Sequence, residues 1–324
     1  MQSVMADILN DVYEPRFLNC SYGFRPGRSA HDVVKGIYQA VTTRPVNCVL
    51  EADIKGFFDN LDQKWLIKFL EHDIADKNFI RYIVRFLKAG VMEGTELKDS
   101  DAGTPQGGLI SPVLANVYLH YVLDLWIERC VKPRMRGDVY YFRYADDFVL
   151  LFKIETEANL VLKLLRERLS KFGLQLAEDK TRILTIGRHD KKKGNFDFLG
   201  FNFFNVKSHI GHYRLGVRSC EKKLKVKRQE LKSWLWTRLM EPVAETFQAL
   251  NRKLVGHFNY YGVSGNSRAL SKFAWYAAKA TMRMLRRRGQ KHRIGWTKFL
   301  ELWKKFVKPA HITTDIWSAP SMLI

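Results

Sequence analysis

The chain has 324 residues, of which 46% are hydrophobic and 27% charged, enough for a real core in two domains or in one domain with a large appendage. Four cysteines at positions 20, 48, 130 and 220 show no paired spacing, against a zinc module or disulfide framework, and the longest apolar runs, such as Phe148 to Phe152, fall far short of the roughly 18 residues of a membrane helix. The formal charge of +21 is lopsided: residues 1–186 carry 25 Lys and Arg against 25 Asp and Glu, residues 187–324 carry 29 against 8, and such asymmetry points to a polyanionic partner rather than a membrane surface. Met1 is not followed by a basic and then apolar leader, so the expected location is cytoplasmic.

In chain order, a helix is predicted from Gln2 to Tyr13, then a loop punctuated by Gly23 and Pro26, then a helix from Ala30 to Val41. The apolar run Val46 to Ala52 reads as a strand ending at Asp53. Helices follow at Gln63 to His72 and Asp76 to Gly90, the second with Phe79, Ile80, Ile83, Phe86 and Leu87 at helical spacing as core positions. A further helix is predicted from Ser111 to Arg129, with Ser111 as cap and Pro112 in the first turn. Two apolar runs, Val139 to Phe142 and Phe148 to Phe152, flank Asp146 and Asp147 and read as a hairpin, and a helix from Thr156 to Phe172 stops at Gly173. After a second hairpin at Phe198 to Phe201 and a strand at Gly211 to Val217, the pattern turns helical at Cys220 to Trp236, Val243 to Tyr261, Ser267 to Arg288 and Trp296 to Phe306. The expected class is α+β, a mixed or antiparallel sheet with helices on one face followed by a helical domain.

The chemistry lies at the two acidic strand ends. An acidic pair at a turn is often only a solvated turn. Carboxylates on adjacent strand ends, however, can bind two magnesium ions about 3.5 to 4 Å apart and so serve a phosphoryl displacement, the chemistry of a polymerase. Between these acids lies Gly103-Thr104-Pro105-Gln106-Gly107-Gly108-Leu109-Ile110-Ser111-Pro112, whose glycines permit close approach of backbone to a ligand.

Asp53 followed by Phe58, the Gly103 to Asn116 stretch, the Tyr144-Ala145-Asp146-Asp147 box and Phe198-Leu199-Gly200-Phe201 together resemble the ordered blocks of reverse transcriptases encoded by bacterial group II introns. Ser21-Tyr22-Gly23-Phe24-Arg25-Pro26-Gly27-Arg28 upstream, and Gly173-Leu174-Gln175-Leu176 with Glu178, Lys180 and Thr181 downstream, resemble two more. The resemblance implies a right-hand polymerase with a fingers remnant at 1–45, a palm at 46–205 and a helical thumb or maturase domain at 206–324. It implies an N-terminally short chain without the cationic block expected to hold the incoming triphosphate, and one without an endonuclease domain.

By the same resemblance, Asp53 and Asp146 are direct ligands of Mg2+, the Ile54 carbonyl is a further ligand, and Asp147 tunes the site. Phe58 lies under the sugar of the incoming deoxynucleotide, with Phe57 and Phe58 as core the competing reading, and Gln106 lies near the nascent base pair. Lys180 contacts phosphate or template, and Arg25, Arg28, Arg286, Arg287 and Arg288 are candidate RNA contacts. Of Trp234, Trp236, Tyr260, Tyr261, Trp275, Tyr276 and Trp296 in the basic region, most are expected in the core and a minority against RNA. The expected activity is RNA-directed DNA synthesis from a DNA primer and dNTPs, with a role in intron splicing. The alternatives are a splicing maturase, or a domesticated or defence-associated relative, with weak or lost polymerase activity.

Overall fold

In a computed structural model of the chain, the alternating apolar runs around Asp53 and the Asp146-Asp147 doublet become neighbouring strands. Residues 2–88, 103, 108–187, 194–206, 213–288 and 294–318 are described, together with the backbone of Lys207 and of two short paired strands, Val91–Glu93 and Glu96–Lys98. They form two compact units that divide between Gly194 and Asn195.

In the first unit, β1 (Cys48–Asp53), β4 (Val139–Tyr144), β5 (Asp147–Phe152) and β6 (Arg182–Thr185) form a sheet ordered β4-β5-β1-β6, with β2 and β3 being the short pair above. Neighbouring strands pair antiparallel, and the parallel element is a single bridge from Ser21 to Arg143. One face presents Leu50, Ala52, Tyr141, Phe148, Leu150 and Phe152 to a continuous core shared with helices α1 (Gln2–Tyr13), α4 (Gln63–Asp73), α6 (Ser111–Leu119) and α7 (Glu155–Ser170). The central strands are apolar at nearly every position, so the other face must be covered too. Helix α2 (Ala30–Thr43) covers it through Gly36, where a Cβ would stand 2.5 Å from the Phe142 ring. The expectation of helices on one face is corrected accordingly.

Local signals explain most boundaries. Ser29 and Asp32 form a reciprocal capping box at the start of α2, and Asp62 accepts the amides of Lys64 and Trp65 at the start of α4. Helix α7 ends as expected at Gly173, whose φ of +72° is in the left-handed region, with the Leu174 amide bonded back to the Leu169 carbonyl. Ser111 is not the cap. It is buried as the first helical residue, preceded by Ile110 in helical conformation. Beyond α6 the helix loosens into wider turns at His120–Asp124 and Ile127–Val131, an adjustment often found near functional sites.

The second unit holds the antiparallel sheet β7 (Asn195–Phe198), β8 (Phe201–Lys207) and β9 (Tyr213–Ser219), and helices α8 (Glu221–Thr237), α9 (Val243–Tyr261), α10 (Ser267–Arg286) and α11 (Trp296–Phe306). Its β7–β8 turn places Leu199 and Gly200 at positive φ, and a Cβ on Gly200 would meet the Tyr261 hydroxyl at 2.8 Å. The Tyr260 hydroxyl donates to the Leu199 carbonyl at 2.8 Å, so the Phe198 to Phe201 block is fastened to α9. The sheet therefore lies with the helices of this unit, although the sequence boundary was expected at 205.

Candidate active site

The register of β1 against β5 pairs Asp53 with Asp147, and that of β4 against β5 pairs Tyr144 with Asp147. Ala145 and Asp146 form the two-residue turn between β4 and β5. Ala145 has φ +57°, unusual for a residue with a side chain and a form of strain that concentrates at functional sites. Asp53, Asp146 and Asp147 are thus brought to one end of one sheet.

Two further contacts bind this end to the rest of the unit. The Lys55 amide donates to the Gln175 carbonyl at 2.9 Å and the Ala177 amide to the Asp53 carbonyl at 2.8 Å, so the segment after Gly173 runs alongside the end of β1. It delivers Lys180, whose ammonium is hydrogen bonded and ion paired to Asp53 Oδ2. Lys180, expected at phosphate or template, is held against a carboxylate, and that bond raises its pKa.

Electrostatics of the corner follow from three crowded acids, of which Asp53 is buried, Asp146 half-buried and Asp147 exposed. Removal from water raises the pKa of Asp146, with Asp53 adding to the rise and Lys180 opposing it. For Asp147 the same desolvation, followed by repulsion from Asp53 and Asp146, lifts it from 3.8 to about 6. A carboxyl so raised holds a proton in the folded chain that the unfolded chain has released. Without metal, the fold therefore loses stability as pH rises from 3.8 to about 6. Asp147→Asn is expected to flatten that loss and raise the melting temperature at neutral pH, measured in chelator; parallel pH profiles for the two chains would refute the coupling.

Sequence reading missed the residue that organises the turn. Arg143 is fully buried beneath it, as is Asp124. Its Nε donates to Asp124 Oδ1 at 2.7 Å and its Nη2 to Asp124 Oδ2 at 2.6 Å, a bidentate pair. Nη1 donates to Asn116 Oδ1 and to the Ala145 carbonyl, each at 3.0 Å, and Nη2 also to Ser21 Oγ at 2.7 Å. Burial disfavours the guanidinium charge, but Asp124 more than offsets this and the pKa is raised. The available signal was a charge in each of two apolar runs, Arg143 after Tyr140-Tyr141-Phe142 and Asp124 after Tyr121-Val122-Leu123.

Of the other candidates, Ile54 is buried directly after Asp53. Phe57 and Phe58 begin the short helix α3 (Phe57–Asn60), where Phe57 enters the core and Phe58 stays partly open. Gly103, at φ +84°, lies so close that a Cβ would meet the Phe58 carbonyl at 2.7 Å, so this glycine packs directly on α3. Gln106 lies outside the described residues. Arg25 is enclosed rather than facing outward: it donates to Glu14 Oε2 at 3.0 Å, and to the carbonyls of Leu18 and Ser21 at 2.7 and 2.8 Å. Arg28 is bound to Asn19 Oδ1 at 2.8 Å and remains partly exposed.

In the second unit the arginine run divides. Arg288 donates to the carbonyls of Glu241 and Arg238 at 2.6 Å each and so ties the α8–α9 connection, whereas Arg286 and Arg287 are exposed, Arg287 over Trp236 at 4.8 Å. Trp275 and Trp296 are stacked and partly exposed, while Tyr261 is core.

The donor set at the sheet end is all carboxylate and carbonyl oxygen, which suits a hard divalent cation. Among the described residues no three His, Cys, Asp or Glu side chains already form a metal cage.

Comparisons with known proteins bear on the fold and the family. A solved telomerase of Candida tropicalis, in complex with a fragment of telomeric RNA, matches over 94% of this chain and 47% of its own at a TM-score of 0.50 and 15% identity, a likeness of fold. The group II intron-encoded protein LtrA of Lactococcus lactis subsp. cremoris is 42% identical over 129 residues, 39% of this chain and 21% of LtrA, so the chain matches about a fifth of that relative's length. Protein YkfC of Escherichia coli K12 is 28% identical over 273 residues, covering 73% of this chain and 68% of YkfC. Residues 1–203 match the family described as reverse transcriptase (RNA-dependent DNA polymerase), well over half of the chain. With that match over a sheet that gathers Asp53, Asp146 and Asp147 at one end, the chain belongs to the reverse transcriptase family.

Proposed function

We propose that this chain is an RNA-directed DNA polymerase of the group II intron type, which extends a DNA primer with dNTPs on an RNA template and also binds intron RNA during splicing. The observation that carries the reading is the pairing of Asp53 with Asp147 across β1 and β5, with Asp146 next in the turn. We assign fingers to residues 1–45, palm to the rest of the first unit and thumb to the second unit.

The family depends on divalent metal in general, and we assign Mg2+ to the carboxylates. Asp53 and Asp146 would hold it, with the Ile54 carbonyl as a further donor and Asp147 adjusting the charge. Bound there, it would offset charge on the attacking and leaving oxygens of nucleotidyl transfer. The protein's own part is to hold the carboxylates in register and to keep Lys180 close enough to balance their charge. Phe58, partly buried beside Gly103, would lie under the sugar of the incoming nucleotide and exclude a 2′-hydroxyl, and Gln106 would meet the nascent pair. Phe58→Ala is expected to admit ribonucleotides, improving their use relative to dNTPs by on the order of tenfold or more; unchanged discrimination in competition assays would remove Phe58 from this role.

RNA contact falls to the basic second unit, where Arg286 and Arg287 are the exposed members of their run. The same surplus of cationic residues favours the splicing reading beside the polymerase one. No helix among the described residues is long and apolar enough to cross a membrane, and we assign the chain to the cytoplasm. The test is primer extension by the purified chain on an annealed RNA template with Mg2+ and dNTPs. Extension establishes the polymerase. Absence of extension together with intact splicing assistance would transfer the function to RNA binding.

A further inference from the structure

Phe24 stands out in the Ser21 to Arg28 loop. Its neighbours are built into the fold: the Tyr22 amide donates to the Arg143 carbonyl at 2.9 Å, the Gly23 carbonyl accepts from Asn116 Nδ2 at 2.7 Å, and the Arg25 guanidinium is buried. Phe24 instead turns outward, 50% exposed, with φ at +58°. That left-handed backbone is unfavourable for any residue with a Cβ and is a true outlier for a bulky ring.

The neighbours enforce it. Gly23 lies against the catalytic hairpin so closely that a Cβ would stand 2.5 Å from the Ala145 nitrogen, and Arg25 is fastened to Glu14, Leu18 and Ser21 one residue later. With both flanks fixed, the ring between them is directed to solvent against the hydrophobic preference that would bury it. Its aromatic neighbour there is Tyr144, at 6.5 Å between ring centroids and 43° between planes. Tyr144 is itself partly exposed, and it is the last residue of β4 before the Ala145-Asp146 turn.

We propose that Phe24 and Tyr144 form an aromatic ledge beside the carboxylates, against which the terminal nucleotide of the growing strand packs. The inference rests on the polymerase reading, because nucleotidyl transfer at Asp53 and Asp146 requires the 3′ end of that strand to lie beside the turn. Every base has a π face, so such a ledge positions the strand end without regard to sequence. Backbone strain that the surrounding structure holds in place clusters at ligand-contacting sites, and here it presents an exposed ring beside the carboxylates.

The test uses the full chain and a primer on an RNA template with 2-aminopurine as the primer's 3′ base, whose emission reports stacking without catalysis. Wild-type and Phe24→Tyr are expected to give the same emission change on binding, and Phe24→Ala and Phe24→Gly to lose it. Extension at subsaturating primer–template falls on the order of tenfold in those two variants. Phe24→Gly keeps or raises the melting temperature, since glycine accepts positive φ freely; a ring that merely holds the fold would make this variant melt several degrees lower.

An emission change that persists in Phe24→Ala overturns the ledge, as does that lower melting point. The two readings separate cleanly. If the wild-type chain extends primers and Phe24→Ala extends them equally well, the ledge fails and the polymerase stands. If nothing is extended yet the emission change depends on Phe24, the polymerase reading fails and the ledge stands as a nucleic-acid contact.

Discussion

Asp53→Asn is expected to lower RNA-templated primer extension by about 10²- to 10³-fold or more, the scale on which loss of one group that stabilises transition-state charge is felt. Asp53 is the acid that the other two depend on: it opposes Asp147 in the sheet, it raises the pKa of both Asp146 and Asp147, and it receives Lys180. The amide keeps the shape and removes the charge, so the fold should persist. Melting and RNA affinity near wild-type, alongside lost extension measured under single-turnover conditions, would place the defect in the chemical step. Extension at the wild-type rate would remove Asp53 from the site.

The second large effect concerns the pair beneath the turn. Asp124→Asn leaves the Arg143 guanidinium fully buried without its counter-charge, and breaking one half of such a pair costs about 3–5 kcal/mol. Set against a typical folding stability of about 5–15 kcal/mol, that is enough to lower the melting temperature by roughly 10 °C. The double substitution Arg143→Met with Asp124→Leu removes both charges at similar volume and is expected to recover most of the stability. It should not recover extension, because the Ala145 carbonyl and Ser21 Oγ lose the donor that holds the turn. Melting of the two variants, read beside their extension rates, separates the contributions. A double variant with wild-type extension would make the pair purely structural.

Much of the fold was legible because periodicity reports burial directly. Helices Gln2–Tyr13, Val243–Tyr261 and Trp296–Phe306 have the bounds their apolar spacing suggested, and the two apolar runs flanking the doublet form the expected hairpin. Asp53, Asp146 and Asp147 were visible because carboxylates at the ends of apolar strands are out of place in a core. The Ser111 cap was misread, since a serine before proline has the composition of a cap but here lies inside the first turn, buried.

Charges were the least legible, and for one reason. A side chain's charge is local information, whereas its partner lies far along the chain: Arg143 meets Asp124 and Ser21, Arg288 meets the carbonyls of Arg238 and Glu241, and Lys180 meets Asp53. Arg25 and Arg288 were expected as candidate RNA contacts; in the folded chain their guanidiniums donate to buried or connecting carbonyls that need donors. The sequence by itself determined the secondary structure, the carboxylates, the family and the basic second half, all of which depend on residue type and short spacing. Only the tertiary structure decided which of these cations stay exposed, which face of the sheet α2 covers, and that Phe24 stands strained beside Tyr144, because these follow from contacts between segments that no local pattern records.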